Sequence, residues 1–199
     1  MTAVVKIGGS LAADPDRLRA LLTALADGAH GPCVIVPGGG AFADAVRAAQ
    51  VAEGFSDAEA HRRALDAMGR MADLFCGLEP RLTVTVAPRA DASRPPAEGG
   101  GSAAAAVWDP VLLRPGHPDI AESWAVTSDS LAVWLAARIG ARTCVLVKST
   151  DAAPGLDPAG LARAGLVDAA FPAFAARFAG DIAVWGPGGP VPVVRRAAA

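Results

Sequence analysis

A chain of 199 residues with 52% apolar residues, 19% charged residues and a net charge of −2 has room for one well-cored domain over 1–199 and is neither disordered nor strongly basic. That balance argues against a nucleic-acid surface, which shows as clustered positive charge, and no apolar run approaches the ~20 residues that cross a bilayer. The N-terminus lacks the basic-then-apolar pattern of a signal peptide, and Cys33, Cys76 and Cys144 share no CxxC or CxxH spacing, so they read as buried free thiols of a reducing, cytoplasmic compartment.

In chain order, "AVVKI" predicts a strand that ends in Gly8-Gly9-Ser10. "DPDRLRALLTALADG" predicts a helix with Asp14 as N-cap, Pro15 at its first position and Gly28 as its stop. Leu18, Leu21, Leu22 and Leu25 recur at i, i+3, i+4, i+7 and give it one apolar face. "CVIVP" is the second strand, followed by Gly38-Gly39-Gly40 and a helix from about Ala41 to Gln50. In "SDAE", Ser56 and Glu59 form a capping box for a helix that runs to about Phe75, with Leu65, Met68, Ala72 and Phe75 on one stripe. "RLTVTV" is a third strand. The breaker-rich stretch 88–106 reads as a loop or lid that ends in a short Ala-rich helix. "TSDSLAVWLAARIG" is a capped helix with Leu131, Trp134, Leu135 and Ile139 inward; "TCVLV" is a strand leading into the loop "KSTDAAPG". A short helix at "FPAFAARF" and a strand at "DIAVW" close the series. This alternation predicts an α/β fold with a mainly parallel sheet and helices on both faces, and no internal repeat is visible.

Ligands of such sheets collect at the carboxyl ends of the strands, where this chain places its unusual residues. Glycines admit backbone N–H groups close to an anion, and helix N-termini add partial positive charge. Two strand-to-glycine turns, the polar "TSDS" and Lys148-Ser149-Thr150-Asp151 therefore point to a polyanionic ligand carrying more than one phosphate. Of 18 basic residues only Lys6 and Lys148 are lysines, and both fall at strand ends. Either they are ordinary strand-end lysines, or they meet a demand for a compact charge that arginine cannot satisfy. Phosphoryl transfer makes that demand, because charge spreads over the oxygens of the moving group. Asp129 is either a carboxylate complementing a helix N-terminus or the organiser of the two lysines. His61 is either a satisfied half-buried histidine or a contact to an acceptor's phosphate or hydroxyl, and the four tryptophans read as packing in the core or beneath loops. "GGGAFA" fits a dinucleotide fingerprint poorly, since the acidic residues that should follow, Asp57 and Glu59, fall in a helix cap. No G-x-x-x-x-G-K-[ST] occurs.

With these residues in place, the chain resembles the amino acid kinase superfamily. "VVKIGGSL" looks like its N-terminal K-x-G-G-S signature, "VIVPGGGAFAD" like its glycine-triplet loop and "TSDSLAVWLA" like its nucleotide-side helix. "VLVKSTDAAPG" looks like a variant of the loop that borders the nucleotide. The resemblance implies a three-layer αβα sandwich, an acceptor held by the N-terminal half, and ATP with Mg2+ held by the C-terminal half. It implies that Lys6 stabilises the transferring phosphoryl group and that Asp129 orients the catalytic lysines. Gly8, Gly9, Ser10, Thr127, Ser149, Thr150, Asp151 and Gly155 would bind ATP and its phosphates, and Gly38, Gly39, Gly40 and His61 the acceptor. The usual T-D-V-D-G-type loop is altered here and no lysine follows Lys148, so a second catalytic lysine would have to be Lys148. Size and "SWAVTSDSLA" look most like the small kinases of methanofuran and methylofuran biosynthesis, and His61 resembles a feature of isopentenyl phosphate kinases. Both extend a monophosphate, so the expected acceptor is a small phosphate monoester, with His61-Arg62-Arg63 and Arg47 as counter-charge; Arg62 and Arg63 read equally well as solvated surface arginines. An acyl phosphate-forming carboxylate kinase and a catalytically silent nucleotide-binding subunit are the alternatives. Dimers are common in the superfamily, which implies a homodimer here.

Overall fold

The strands are β1 (Ala3–Ile7), β2 (Cys33–Pro37), β3 (Thr83–Thr85), β4 (Ala105–Trp108), β5 (Thr143–Val147), β6 (Asp181–Gly186) and β7 (Gly189–Pro192), in a computed structural model that describes residues 2–88 and 104–194. They form one sheet in the order β3-β4-β2-β1-β5-β6-β7. All neighbours run parallel except the β6–β7 hairpin. β1, the strand that carries Lys6, is central and fully paired. Its register sets Lys6 opposite Val36 of β2 and Leu146 of β5, so three strand ends and their loops line up at one edge.

Helices α1 (Pro15–Ala26), α2 (Gly40–Glu53), α3 (Asp57–Leu78), α4 (Ser128–Arg138), α5 (Pro158–Arg163) and α6 (Phe171–Arg177), with 3-10 turns at Gly9–Ala13 and Pro110–Leu113, complete the fold. The caps read from the sequence are in place: Arg17 donates its backbone N–H to the Asp14 carboxylate at 3.1 Å, and Glu59 donates to Ser56 Oγ at 3.2 Å. Side chains alternate across the strands, and the two faces build two cores. Val5, Ile7, Cys33 and Ile35 pack with Leu18, Leu22 and Leu25 of α1. Val4, Val34, Val36, Cys144 and Leu146 pack with α4, α6 and Leu65 and Met68 of α3. The result is a three-layer αβα sandwich. Period two also assigns the lysines: Lys6 follows Val4, and Lys148 continues the Cys144–Leu146 side, so both belong to the face that α4 covers.

Two expectations need correction. The Ala-rich end of the breaker stretch is not a helix: Ala105–Trp108 is strand β4, paired on both sides by β2 and β3. Cys33 donates its N–H to the Ala104 carbonyl at 3.0 Å, and the backbone hydrogen bonds of an interior strand slot override alanine's helix preference. Residues 89–103 of the expected loop or lid lie outside the described residues. The third strand is confined to Thr83–Thr85, while α5 and β7 were not anticipated. β7 carries Pro190 and Pro192 and is an edge strand, the position that tolerates residues without a backbone donor.

Candidate active site

The first turn of α4 brings Asp129 over the strand ends, and the two lysines converge on it. Lys6 Nζ lies 2.8 Å from Asp129 Oδ1, and Lys148 Nζ lies 2.7 Å from Oδ1 and 2.8 Å from Oδ2. The side chains are 5%, 13% and 8% exposed for Lys6, Lys148 and Asp129. Because both ammonium groups touch the same oxygen, their separation cannot exceed about 5.5 Å, the sum of those two contacts. Burial pushes the Asp129 carboxyl up, but the charges and hydrogen bonds of Lys6 and Lys148 outweigh it and hold the group below the ordinary aspartate range. Burial, then repulsion from Lys6, pulls Lys148 down to about 8 against the attraction of Asp129. Two cations sharing one carboxylate leave an excess positive charge in a nearly dry site, an arrangement that an arriving anion completes.

The loops around this cluster are interlocked. A Cβ on Gly9 would sit 2.2 Å from the Gly40 nitrogen, and one on Gly38 would sit 2.5 Å from the Gly9 nitrogen. Gly40 also adopts φ +51°, which glycine reaches without strain. Gly8 donates to the Val147 carbonyl at 2.9 Å and Gly38 to the Ile7 carbonyl at 2.8 Å, so the parallel ladder continues past the strand ends. The Ser10 hydroxyl donates to Ser149 Oγ at 3.1 Å, and the Arg17 guanidinium donates to the Lys148 carbonyl at 3.1 Å. Lys6, Gly8, Gly9, Ser10, Gly38, Gly39, Gly40, Asp129, Lys148 and Ser149 are thus assembled at one edge. Asp151 turns elsewhere: its Oδ1 accepts the Gly188 N–H at 2.7 Å and closes the β6–β7 turn. Thr150 and Gly155 are exposed in the same loop.

A cleft of about 570 Å³ opens beside the cluster. Gly9, Ser10, Gly38, Gly39, Gly40, His61, Thr127 and Ser128 line it together with Leu65, Met68, Val126, Leu131, Arg47 and Trp124. The N-termini of α2 and α4 therefore both border it, and Ser128 directly precedes Asp129. His61 is buried, with Nδ1 3.3 Å from the Ser123 carbonyl oxygen, and burial pushes its pKa down. A carbonyl only accepts, so the neutral ring carries its proton on Nδ1. The basic trio is not assembled. Arg62 binds Glu59 at 3.2 Å and Glu122 at 3.1 Å, while Arg63 binds Glu59 at 2.9 Å and lies over the Phe55 ring at 4.0 Å. Both guanidinium groups are satisfied by carboxylates and are absent from the cleft lining.

Asp168 escaped the sequence reading. It accepts the backbone N–H groups of Thr127 and Ser130 at 3.0 Å each, the Thr127 hydroxyl at 2.9 Å, and the Ser130 hydroxyl. Thr127 has no side-chain cap bond of its own, so Asp168 caps α4 from 38 to 41 residues away. Both Thr127 donors, expected to meet phosphate, are engaged there. A lone aspartate in "GLVDAAF" carries no local signal of this task.

The sequence model of the amino acid kinase family matches residues 1–90. Over 149 residues the chain is 31% identical to a [5-(aminomethyl)furan-3-yl]methyl phosphate kinase of Methanocaldococcus jannaschii, a stretch covering 74% of this chain and 66% of that relative. The chain is thus similar to the amino acid kinase family in its first 90 residues and shares the fold of its kinases. Structures of the same fold include a uridylate kinase from Archaeoglobus fulgidus, with a TM-score of 0.63, 16% identity and coverage of 98% of this chain and 91% of that one. An aspartate kinase from Synechocystis aligns with the same TM-score and identity, over 98% of this chain and 40% of that one. These relatives are phosphotransferases. No group of three His, Cys, Asp or Glu side chains among the described residues is placed to hold a metal ion. Cys33 and Cys144 are buried free thiols and Cys76 is half-buried, and no helix among the described residues is long and apolar enough to cross a membrane.

Proposed function

We propose that the chain is an ATP-dependent kinase that converts a small phosphate monoester into a diphosphate, with [5-(aminomethyl)furan-3-yl]methyl phosphate as the acceptor that fits best. The observation that carries this reading is the pair of scarce lysines on one buried carboxylate beside two glycine loops. ATP would supply the γ-phosphoryl group: an acceptor phosphate oxygen bonds to γ-phosphorus, the bond to the bridging oxygen of ADP breaks, and ADP leaves with that electron pair. Lys6 and Lys148 supply fixed positive charge to the oxygens on which negative charge accumulates. Asp129 holds both ammonium groups in place, so no reorganisation is needed when the phosphoryl group moves. The glycine-loop N–H groups and the N-termini of α2 and α4 provide the anion-binding edge. The residues fit a nucleotide in this sense: a cation excess, close backbone approach at the glycines, and the Ser10–Ser149 contact joining the two phosphate-side loops.

The identity to the furan-methyl phosphate kinase supports the acceptor class. Among the described residues, Arg47 is the one guanidinium that reaches the cleft, an observation that favours a second reading, a singly charged carboxylate acceptor giving an acyl phosphate. Incubation with Mg-ATP and candidate acceptors separates the two. Acceptor-dependent ADP formation with the furan-methyl phosphate, and no hydroxamate on hydroxylamine trapping, is expected. A hydroxamate from an amino acid acceptor would overturn the monoester reading. The same reading expects a cytoplasmic location, consistent with buried reduced thiols, and a homodimer.

A further inference from the structure

We infer that Trp124 selects a flat, aromatic ring on the acceptor, an inference that rests on the phosphate-monoester reading above. Trp124 stands on the segment between the Pro110–Leu113 turn and α4, where the chain has no helix or regular strand, yet its ring is fixed from several directions. Its Nε1–H donates to Gln50 Oε1 at 2.6 Å, and the Arg47 guanidinium lies 4.2 Å from its ring centroid. Those partners sit three residues apart on α2, so one helix face presents both. Each is anchored in turn. Gln50 Nε2 donates to Asp57 Oδ1 at 2.8 Å and to the Phe55 carbonyl at 3.3 Å, and Arg47 Nη1 donates to Asp44 at 3.0 Å.

A tryptophan that only fills a core is held by packing. This one is half-buried, lines the cleft and is braced both in its plane and over its face. Ordering Gln50 and Arg47 costs side-chain entropy, and the product is a rigid aromatic wall formed before any ligand arrives. The cleft is chemically divided. Gly39, Gly40 and Ser128, at the N-terminal ends of α2 and α4, line the side suited to an anion, while Trp124, Leu65 and Met68 offer aromatic and apolar surface. A phosphate ester whose ester carbon carries a flat ring matches both parts, the phosphate toward the helix ends and the ring against the indole.

Benzyl phosphate and cyclohexylmethyl phosphate test this directly, since they differ in ring flatness and π character and little in size. Calorimetric binding to the full chain should favour benzyl phosphate by about 5- to 10-fold, the scale of one stacked aromatic contact. Trp124→Leu should bring that ratio to about one, Trp124→Phe should keep most of it, and Arg47→Ala, which removes the brace, should reduce it. The ratio is read within one variant, so a loss of overall stability does not imitate the effect. An unchanged ratio in Trp124→Leu, or a wild type indifferent to the two esters, overturns the inference and leaves the kinase reading standing. Binding of neither ester overturns the phosphate-monoester reading and this inference with it.

Discussion

Lys6 and Lys148 were legible because the chain spends its basic residues on arginine and departs from that habit twice. A rigid bidentate fork cannot take the place of a compact ammonium that shares one carboxylate oxygen. Lys6→Ala should lower kcat by about a thousandfold, the scale of losing one fixed charge at a developing oxyanion, with an unchanged circular dichroism spectrum. Arg at either position should fail to restore turnover. The position of Lys148 at about 8 makes its charge pH-dependent in the working range. The protonated form is the useful one, so kcat/KM should be flat below about pH 8 and fall tenfold per unit above it. A bound triphosphate favours the ammonium, so the same limb in kcat should move to higher pH. For stability the sign is opposite to that of an ordinary ion pair. The unfolded chain holds this proton up to 10.5, so the free protein gains stability as pH rises from about 8 to 10.5. Asp129 stood between two readings in the sequence because a first-turn helix carboxylate and a site carboxylate look alike there. The fold sets it in the first turn of α4 with its oxygens on both lysines.

At the scale of elements, α4 is held by a residue that local patterning cannot reveal. Asp168→Ala leaves two backbone N–H groups and two hydroxyls at the helix start without their acceptor. Thermal unfolding should show a loss of about 1–3 kcal/mol, and kcat should fall more than KM changes, because Asp129 rides on that turn. Asn at the same position should rescue poorly, since its amide presents N–H groups to donors. The far end of the fold has its own clasp. Arg81 binds Glu79 at 2.8 Å and also pairs with Asp27 of the α1 C-terminus, while Thr23 donates to Glu79 at 3.0 Å. The hydrogen bond from Arg81 holds the Glu79 carboxyl down at about 2. A lowered carboxyl stabilises the fold at neutral pH and loses that contribution as pH falls from about 4.5 toward 2. Acid unfolding of Glu79→Gln should be shallower than wild type across that window. Helices with caps, and strands made of branched apolar runs, were readable element by element. β4 was not, because Ala105 and Ala106 carry helix propensity and only the slot between β2 and β3 makes them a strand.

For the whole molecule, the parallel order with β1 at its centre turns scattered motifs into one edge. Residues from 6 to 149 meet there because consecutive strand ends share a register. That convergence was legible as a rule about parallel sheets. The partners of each group were not: Arg62 and Arg63 stood between acceptor counter-charge and solvated surface arginines, and Glu59 and Glu122 neutralise them, while Trp124 looked like packing. The central claim is that both amines face the nucleotide's terminal phosphate, and the two-lysine composition makes it measurable. Protein labelled with ε-13C-lysine gives two resonances. Addition of a non-hydrolysable Mg-ATP analogue should move both, and the resonance lost in Lys148→Ala should titrate near pH 8 in the free protein. An analogue that binds by calorimetry yet leaves both resonances in place would contradict the account.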